Sequence, residues 1–219
     1  MDRERDLTDM VFFTKVKNKI RDVEHEAYLR GKRCRLKNKT PSIISNNCVA
    51  GVIYHDLGLR FDSPTVNLFF GAEDFVRFAE NLEVYLSLEL QEIRSDRPYP
   101  VGMLGDITIY FMHYKSFEEA KAKWEERTAR INFDNLFFIM SEREGCTPTV
   151  AERFDRLPYR NKVLLTHLPM PQVGCAHVLA GFENDSELGT VTDMKPGPRL
   201  RRYIDDYDYV RFLNAGFAD

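Results

Sequence analysis

The sequence has few cysteines and lacks any long apolar run. The four cysteines stand far apart, so the chain has no C-x-x-C pair of the kind that zinc and redox sites use. No apolar segment reaches the ~20 residues of a membrane-spanning helix. Acidic residues follow Met1, where a signal peptide carries positive charge. These absences argue against a disulfide scaffold and a membrane span, and they predict a cytoplasmic protein with reduced thiols.

Several common catalytic and nucleotide-binding motifs are also missing. The sequence contains no G-x-x-x-x-G-K-[ST], G-x-G-x-x-G, G-x-S-x-G or H-E-x-x-H. The five histidines are scattered without an i, i+4 pair, so we predict no metal site. The sequence identifies no cofactor and leaves open whether the chain is an enzyme.

The composition is that of a folded chain with an uneven charge distribution. Of 219 residues, 43% are hydrophobic and 12% aromatic, which suffices for a sizeable core. The net charge of −3 divides unequally along the chain. Residues 1–40 hold 12 basic and 7 acidic side chains, and residues 41–219 hold 19 basic and 27 acidic side chains. We therefore predict a basic helical arm at 1–40 and a single acidic domain at 41–219.

The arm is predicted to be a long amphipathic helix. Thr8 would cap its start and Gly31 would end it. One apolar stripe recurs at spacings of three and four and comprises Met10, Phe13, Val16, Ile20, Val23 and Ala27. We expect residues 14–39 to contact an anionic membrane surface or an acidic partner. Nucleic acid is not an expected partner, because the basic stretch has no interleaved aromatic residues.

Short apolar strands alternate with helices along the rest of the chain. Strands are predicted at 42–45, 65–70, 106–113, 135–140, 162–167, 177–180 and 188–192. Helices are predicted at 48–54, 73–93, 117–131, 147–157 and 205–214. This order favours an α/β fold, a layered sheet of mixed, mostly parallel strands flanked by helices. The weaker pattern after Pro171 leaves α+β as the alternative.

Several segments between residues 40 and 214 carry a resemblance by their order and spacing. They include Ser42-Ile-Ile-Ser-Asn-Asn-Cys48, Tyr54-His-Asp-Leu-Gly-Leu59, Ile131-Asn-Phe-Asp-Asn135, Ser141-Glu-Arg143 and Phe154-Asp-Arg-Leu-Pro-Tyr159. Together they resemble a bacterial family of unknown function whose members are commonly labelled exopolysaccharide biosynthesis proteins. The resemblance implies a cytoplasmic role near capsule or surface-polysaccharide assembly, without an established activity or catalytic residue.

Polar residues follow the predicted strands at their carboxyl ends, where open α/β sheets bind ligands. They are Asn46, Asn47, Cys48, His113, Tyr114, Ser141, Glu142 and Arg143. So many hydrogen-bonding groups at one edge suit a hydroxyl-rich ligand such as a sugar. Asn and Ser also cap helices and turns at such places, so any one of these residues could be purely structural.

A second candidate group lies around the end of the predicted helix 117–131. Arg127 and Arg130 share one helix face and could hold a phosphate, or they could form surface ion pairs. A polar turn then follows, formed by Asn132, Asp134 and Asn135. Its side chains can bind a ligand, or they can form hydrogen bonds only with the backbone of the turn itself.

Two further patterns suggest specific chemistry. Cys48 could be a nucleophile with His113 or His55 as its base. Asp206-Tyr207-Asp208 has the D-x-D form by which many glycosyltransferases hold a divalent ion. It also precedes the last predicted helix, where acids are expected because of the helix dipole, and we favour that interpretation.

Two functions follow from these patterns. The first is an enzyme, such as a transferase, that acts on a sugar or sugar-phosphate donor in exopolysaccharide or capsule biosynthesis. The alternative is a non-catalytic binding or assembly module that docks on membrane-bound polysaccharide machinery. The polar strand ends support the first, and the missing catalytic motifs and the basic arm support the second.

Overall fold

The computed structural model describes the backbone of residues 2–217 and the side chains of residues 19–217. A long first helix, α1 (Asp2–Arg35), starts earlier and ends later than the sequence suggested. The predicted cap Thr8 and the stripe side chains Met10, Phe13 and Val16 lie outside the described side chains. Within residues 2–217, no helix combines the length and the apolar character that crossing a bilayer requires.

Four parallel strands form the central sheet. They are β1 (Ser42–Ser45), β5 (Leu136–Ser141), β6 (Lys162–Thr166) and β7 (Ala176–Val178), in the order β1-β5-β6-β7. Ile43 pairs with Phe137 and Ile44 with Phe138, so apolar side chains face both sides of the sheet. Continuous apolar runs are typical of parallel strands buried on both faces. These segments are therefore where the sequence prediction was most accurate.

Three antiparallel strands form a second, smaller sheet. They are β2 (Leu90–Ile93), β3 (Val101–Leu104) and β4 (Ile107–Tyr110). β3 turns into β4 at Gly105, whose φ of +65° is in the left-handed region that favours glycine. Both sheets are flanked by helices, which confirms the predicted α/β class with mixed, mostly parallel strands.

Six further α-helices and two short 3-10 helices, Phe133–Asn135 and Tyr203–Asp206, lie in the described part of the chain. The six α-helices are α2 (Val49–Leu57), α3 (Ala72–Glu80), α4 (Leu82–Leu86), α5 (Phe117–Thr128), α6 (Pro148–Asp155) and α7 (Tyr209–Leu213). The core residues of α2 and α7 share one apolar cluster with one face of the parallel sheet. The core residues of α3, α5, α6 and the second sheet share another apolar cluster with the opposite face of the parallel sheet. Two cores thus sandwich the parallel sheet.

Three sequence predictions about elements were wrong. The helix predicted over 73–93 is two helices followed by β2, because Leu90–Ile93 pairs along β3 and buries Leu90. The predicted strand at 65–70 is reduced to a single bridge from Phe69 to Tyr110, since Asn67 adopts a φ of +67°. No strand forms at 188–192.

The C-terminal part of α1 is attached to the body by buried charges. Lys32 Nζ lies 2.5 Å from Asp205 Oδ1, and these side chains are only 5% and 3% exposed. Arg202 bonds the buried Asp56 carboxylate at 2.7 Å, and Arg33 donates to the Asp56 carbonyl. Burial lowers the pKa of Lys32, while its contact with Asp205 opposes that shift. Desolvated ions of this kind depend on keeping their partners.

We expect Lys32→Met to lower the free energy of unfolding by about 3–5 kcal/mol, because it leaves the Asp205 carboxylate buried without its cation. The matched control is Arg35→Met, which breaks the exposed pair with Asp208 and should cost about 0–1 kcal/mol. Urea unfolding of both variants measures the difference. Equal losses in the two variants would contradict this account of how α1 is attached.

Candidate functional site

A pocket of about 320 Å³ lies at the carboxyl ends of β1 and β5. Its lining residues come from the two strand ends, from the loop before α3, from the segment after β4 and from a distant segment near residue 190. They are Asn47, Cys48, Val49, Phe69, Met112, His113, Arg143, Glu144, Thr190, Val191, Thr192 and Asp193. Volumes of this order suit small ligands, and strand ends are where α/β sheets bind them.

A larger cavity, of about 900 Å³, lies between the β2–β3 loop and the start of α5. It is distant in sequence from the ends of the parallel strands. The hydroxyl of Ser116 in its wall already accepts from the Glu119 N–H and caps α5. We therefore regard the strand-end pocket as the candidate site.

Asn46 holds the two strand ends together beside the pocket. Its side-chain Nδ2 donates to the Ser141 carbonyl at 3.0 Å, and its Oδ1 accepts from the Ser141 N–H at 2.9 Å. Its own carbonyl accepts from the Phe70 N–H. Both Asn46 and Ser141 are buried, and neither is among the residues that line the pocket.

The turn into α2 is fixed by side chains as well. Asn47 Oδ1 accepts from the Val49 N–H at 3.1 Å. Ser45 Oγ donates to the Asn47 carbonyl at 2.6 Å and accepts from the Ala50 N–H. These bonds satisfy amides at the start of α2, which otherwise lack partners within the helix.

Cys48 lies in the pocket as a neutral thiol. Its Sγ is 3.9 Å from the Leu68 carbonyl and 3.9 Å from Met112 Sδ. Burial raises the pKa of this thiol to about 11, and the nearby Arg143 charge offsets the shift only in part. His113 lines the same pocket, but the described hydrogen bonds include none between it and Cys48. His55 contacts Asp56 and is not part of the pocket lining.

Arg143 is the cation of the pocket. Its Nη1 lies 3.3 Å from Thr190 Oγ1, and its Nη2 lies 3.4 Å from Glu144 Oε1. These contacts are long, and a guanidinium carries five N–H donors, so capacity remains for an anionic ligand. The turn that carries Arg143 is left-handed at Glu144 and Gly145, with φ of +55° and +83°.

The left-handed turn is held from two sides. The Glu144 N–H donates to Glu187 Oε2 at 3.0 Å, and the Glu144 carbonyl accepts from the Ala72 N–H at the start of α3. A non-glycine residue with positive φ costs energy and persists only where its surroundings fix it. The turn therefore presents Arg143 from a fixed backbone.

Glu142 and His167 form a buried pair next to this turn. The Glu142 carboxylate accepts from the His167 N–H at 3.1 Å and also contacts the His167 ring Nδ1. The Glu142 carbonyl accepts from the Leu188 N–H. Glu142 thus ties the end of β6 and the segment that carries Thr190 to the end of β5, without lining the pocket itself.

Tyr114 and Arg127 brace the loop before α3 instead of facing the pocket. The Tyr114 hydroxyl donates to the Val66 carbonyl at 3.0 Å, and the buried Arg127 donates to both of these oxygens. Arg130 bonds Glu126 and approaches Asp62. The two guanidinium groups are therefore engaged with different protein partners.

Asn132, Asp134 and Asn135 lie at the amino end of β5, at the opposite edge of the sheet. Asn135 and Asn38 exchange two side-chain amide bonds of 2.8 and 3.0 Å. Asn132 Oδ1 accepts from the Asp134 N–H. These three residues line a separate depression of about 650 Å³.

The D-x-D acids have structural partners. Asp208 Oδ1 accepts from the Arg211 N–H and caps α7, which agrees with the helix-start interpretation. Asp206 pairs with Lys195 at 2.5 Å. Among the described residues, no three His, Cys, Asp or Glu side chains are grouped as a metal site requires.

The structure thus brings four of the predicted site residues into one pocket: Asn47, Cys48, His113 and Arg143. Sequence reasoning missed the wall formed by residues 190–193. The signal there was a weak apolar pattern at 188–192, interpreted as a strand. Nothing in the sequence pairs Thr190 with Arg143, which lies 47 positions earlier in the chain.

Comparison with known proteins matches residues 19–214 to a family model described as "Domain of unknown function (DUF1919)". A protein of Haemophilus influenzae, described as an uncharacterized protein, is 39% identical over 202 residues. The match covers 92% of this chain and 98% of the relative. Neither description mentions a polysaccharide.

We expect Asn46→Ala to lower the free energy of unfolding by about 1–3 kcal/mol, because the buried Ser141 N–H and carbonyl lose their partners. Asn81→Ala at an exposed position should change it by less than about 0.5 kcal/mol. Urea unfolding measures both. A stable Asn46→Ala variant would contradict the bracing role.

The neutral thiol gives a test by alkylation. At about pH 8 the exposed Cys34 should react with iodoacetamide well before Cys48, since only thiolate reacts. The rate at Cys48 should rise steadily up to pH about 11, where its thiol ionises. Peptide mapping by mass spectrometry reports each site. Equal rates at Cys34 and Cys48 near pH 8 would argue for an activated thiolate in the pocket.

Proposed function

The chain belongs to the DUF1919 family, and from its strand-end pocket we propose that it is a transferase that binds a sugar phosphate or sugar-phosphate donor. The observation that carries the proposal is the combination of one cation, Arg143, with neutral hydrogen-bonding groups and the carboxylates of Glu144 and Asp193 around one small pocket. Carboxylate oxygens accept from sugar hydroxyls as the neutral groups do. A phosphate needs a charged donor, and sugar hydroxyls need neutral donors and acceptors.

The pocket offers both kinds of group on different walls. Arg143 and Thr190 lie together and suit the phosphate. Asn47 and His113 come from the ends of other elements and suit hydroxyl groups. The apolar side chains of Phe69 and Met112 supply surfaces on which a sugar ring can pack.

In this proposal His113 is the general base of the transfer step. Its imidazole lies at the pocket with an exposed side chain, so it can accept the proton of an acceptor hydroxyl as the donor bond breaks. Arg143 stabilises the departing phosphate by charge. Cys48, held as a neutral thiol, serves as a pocket wall and not as a nucleophile.

The biological setting is a further part of the proposal. We place the reaction in exopolysaccharide or capsule assembly because of the sequence resemblance described above. The alternative of a non-catalytic assembly module is less favoured, since basic residues at the end of the arm are already paired with acids. Lys32 pairs with Asp205, Arg33 with Glu26 and Arg35 with Asp208.

Ligand binding tests the proposal through Arg143→Gln. A monosaccharide 1-phosphate or a nucleotide sugar should raise the melting temperature of the wild type, because a ligand that binds only the folded state stabilises it. Arg143→Gln should weaken binding by about 10–100-fold, the equivalent of losing about 1.5–3 kcal/mol of charged hydrogen bonding. Calorimetric titration gives the dissociation constants.

The matched control is Arg156→Gln, which removes an exposed arginine at the end of α6 that is not part of the pocket. It should bind like the wild type. If millimolar sugar phosphates and nucleotide sugars, with and without Mg²⁺ or Mn²⁺, leave the melting temperature of the wild type unchanged, the transferase proposal fails and the assembly module is favoured.

A further inference from the structure

One face of α1 remains apolar and exposed to solvent. The side chains of Ile20 and Val23 are 63% and 65% exposed, and Ala27 on the same face is exposed as well. Spacings of three and four place them in one stripe along the helix. Contiguous apolar surface of this kind marks an interaction site.

The body of the protein packs on the other face of α1. Glu24 pairs with Arg201 at 2.6 Å, and the His25 ring contacts the Leu200 carbonyl at 2.8 Å. The Arg201 guanidinium lies 3.5 Å from the centre of the Tyr28 ring. The face of α1 that carries Glu24, His25 and Tyr28 therefore holds the helix on the body, and the apolar stripe has no cover among the described residues.

The sequence continues this stripe with a coiled-coil spacing. Phe13 and Val16 precede Ile20, Val23 and Ala27 by alternating steps of three and four within the helical backbone of α1. This is the a and d pattern by which two helices pack along a seam. The pattern favours another helix of the same spacing as the occupant.

We propose that the chain forms a homodimer in which α1 packs antiparallel against α1 of a second copy. Ile20 of one copy then lies against Val23 of the other. The two bodies lie on opposite sides of the helix pair, because each one holds the face of its own α1 that carries Glu24 and His25.

Charges beside the stripe favour the antiparallel direction. Lys19 and Glu26 are both exposed and border the stripe on one side. An antiparallel pair places Lys19 opposite Glu26 of the second copy, and the symmetry repeats this contact. A parallel pair would instead bring Arg30 against Arg30 of the second copy within the seam, where like charges repel.

Glu26 can take part in this contact. It already bonds Arg33 of its own helix at 2.8 Å through Oε1, yet its side chain stays 52% exposed. A carboxylate accepts from two cations through its two oxygens. Glu26 and Asp22 beside the stripe also offset the attraction of Lys19 and Arg30 to anionic lipid, which makes a membrane the less favoured occupant.

Analytical ultracentrifugation of the full chain tests the proposal with Ile20→Glu/Val23→Glu. The wild type should sediment as a dimer and the double variant as a monomer, because charges in the seam prevent packing. Val84→Glu replaces an equally exposed valine on α4 and should remain dimeric. Circular dichroism should show the same helix content in all three proteins, which separates lost association from lost folding.

Charge reversal tests the direction of packing. Lys19→Glu or Glu26→Lys alone should weaken the dimer by about tenfold, since each turns two attractive contacts into repulsive ones. The combined Lys19→Glu/Glu26→Lys variant should restore it. A combined variant as weak as either single one overturns the antiparallel arrangement.

Two other outcomes would contradict the proposal that the chain forms a dimer through α1. One is a wild type that stays monomeric at hundreds of micromolar, and the other is an equal loss of association in Val84→Glu. A monomeric wild type that sediments with vesicles containing anionic lipid, while Ile20→Glu/Val23→Glu does not, would assign the stripe to a membrane surface instead.

Discussion

Asn46 makes with its side chain the two hydrogen bonds to Ser141 that the backbones of two further residues would make if the parallel ladder of β1 and β5 continued. The amide joins both backbone groups of Ser141, so the β1–β5 ladder is completed although the chain after Ser45 turns away into α2. Because the backbone is free to leave the sheet at this point, Asn47 and Cys48 diverge from the end of β5. The space between them and Arg143 is the pocket.

The pocket wall from the second sheet depends on polar groups that are buried for structural reasons. Tyr114 and Arg127 bind the Val66 carbonyl, and the bridge from Phe69 to Tyr110 joins the same loop to β4. These bonds fix the loop that supplies Phe69, next to the segment that supplies Met112 and His113. The buried Arg127 donates to the Val66 carbonyl and to the Tyr114 hydroxyl, so removing its side chain would take a hydrogen bond from each of these oxygens.

Sequence reasoning predicted the parallel strands and part of the site because their signals are local. The apolar run within 135–140 is typical of a strand buried on both faces, and the rule that ligands bind at carboxyl ends selects Arg143 and Cys48. It missed β2, because the apolar residues of 73–93 also suit a helix, and only pairing with β3 decides between them. Thr190 joins the pocket through tertiary contacts that no local pattern encodes.

The buried pair of Lys32 and Asp205 joins residues that are 173 positions apart in the chain. Ribosomes add about 5–20 residues per second, so Lys32 is synthesised roughly 10–30 seconds before its partner exists. During that interval the end of α1 has neither its carboxylate nor the C-terminal segment that packs on it. Arg33 can reach the Asp56 carbonyl of α2 early in synthesis, whereas the buried contact of Lys32 forms only after residue 205 has been added.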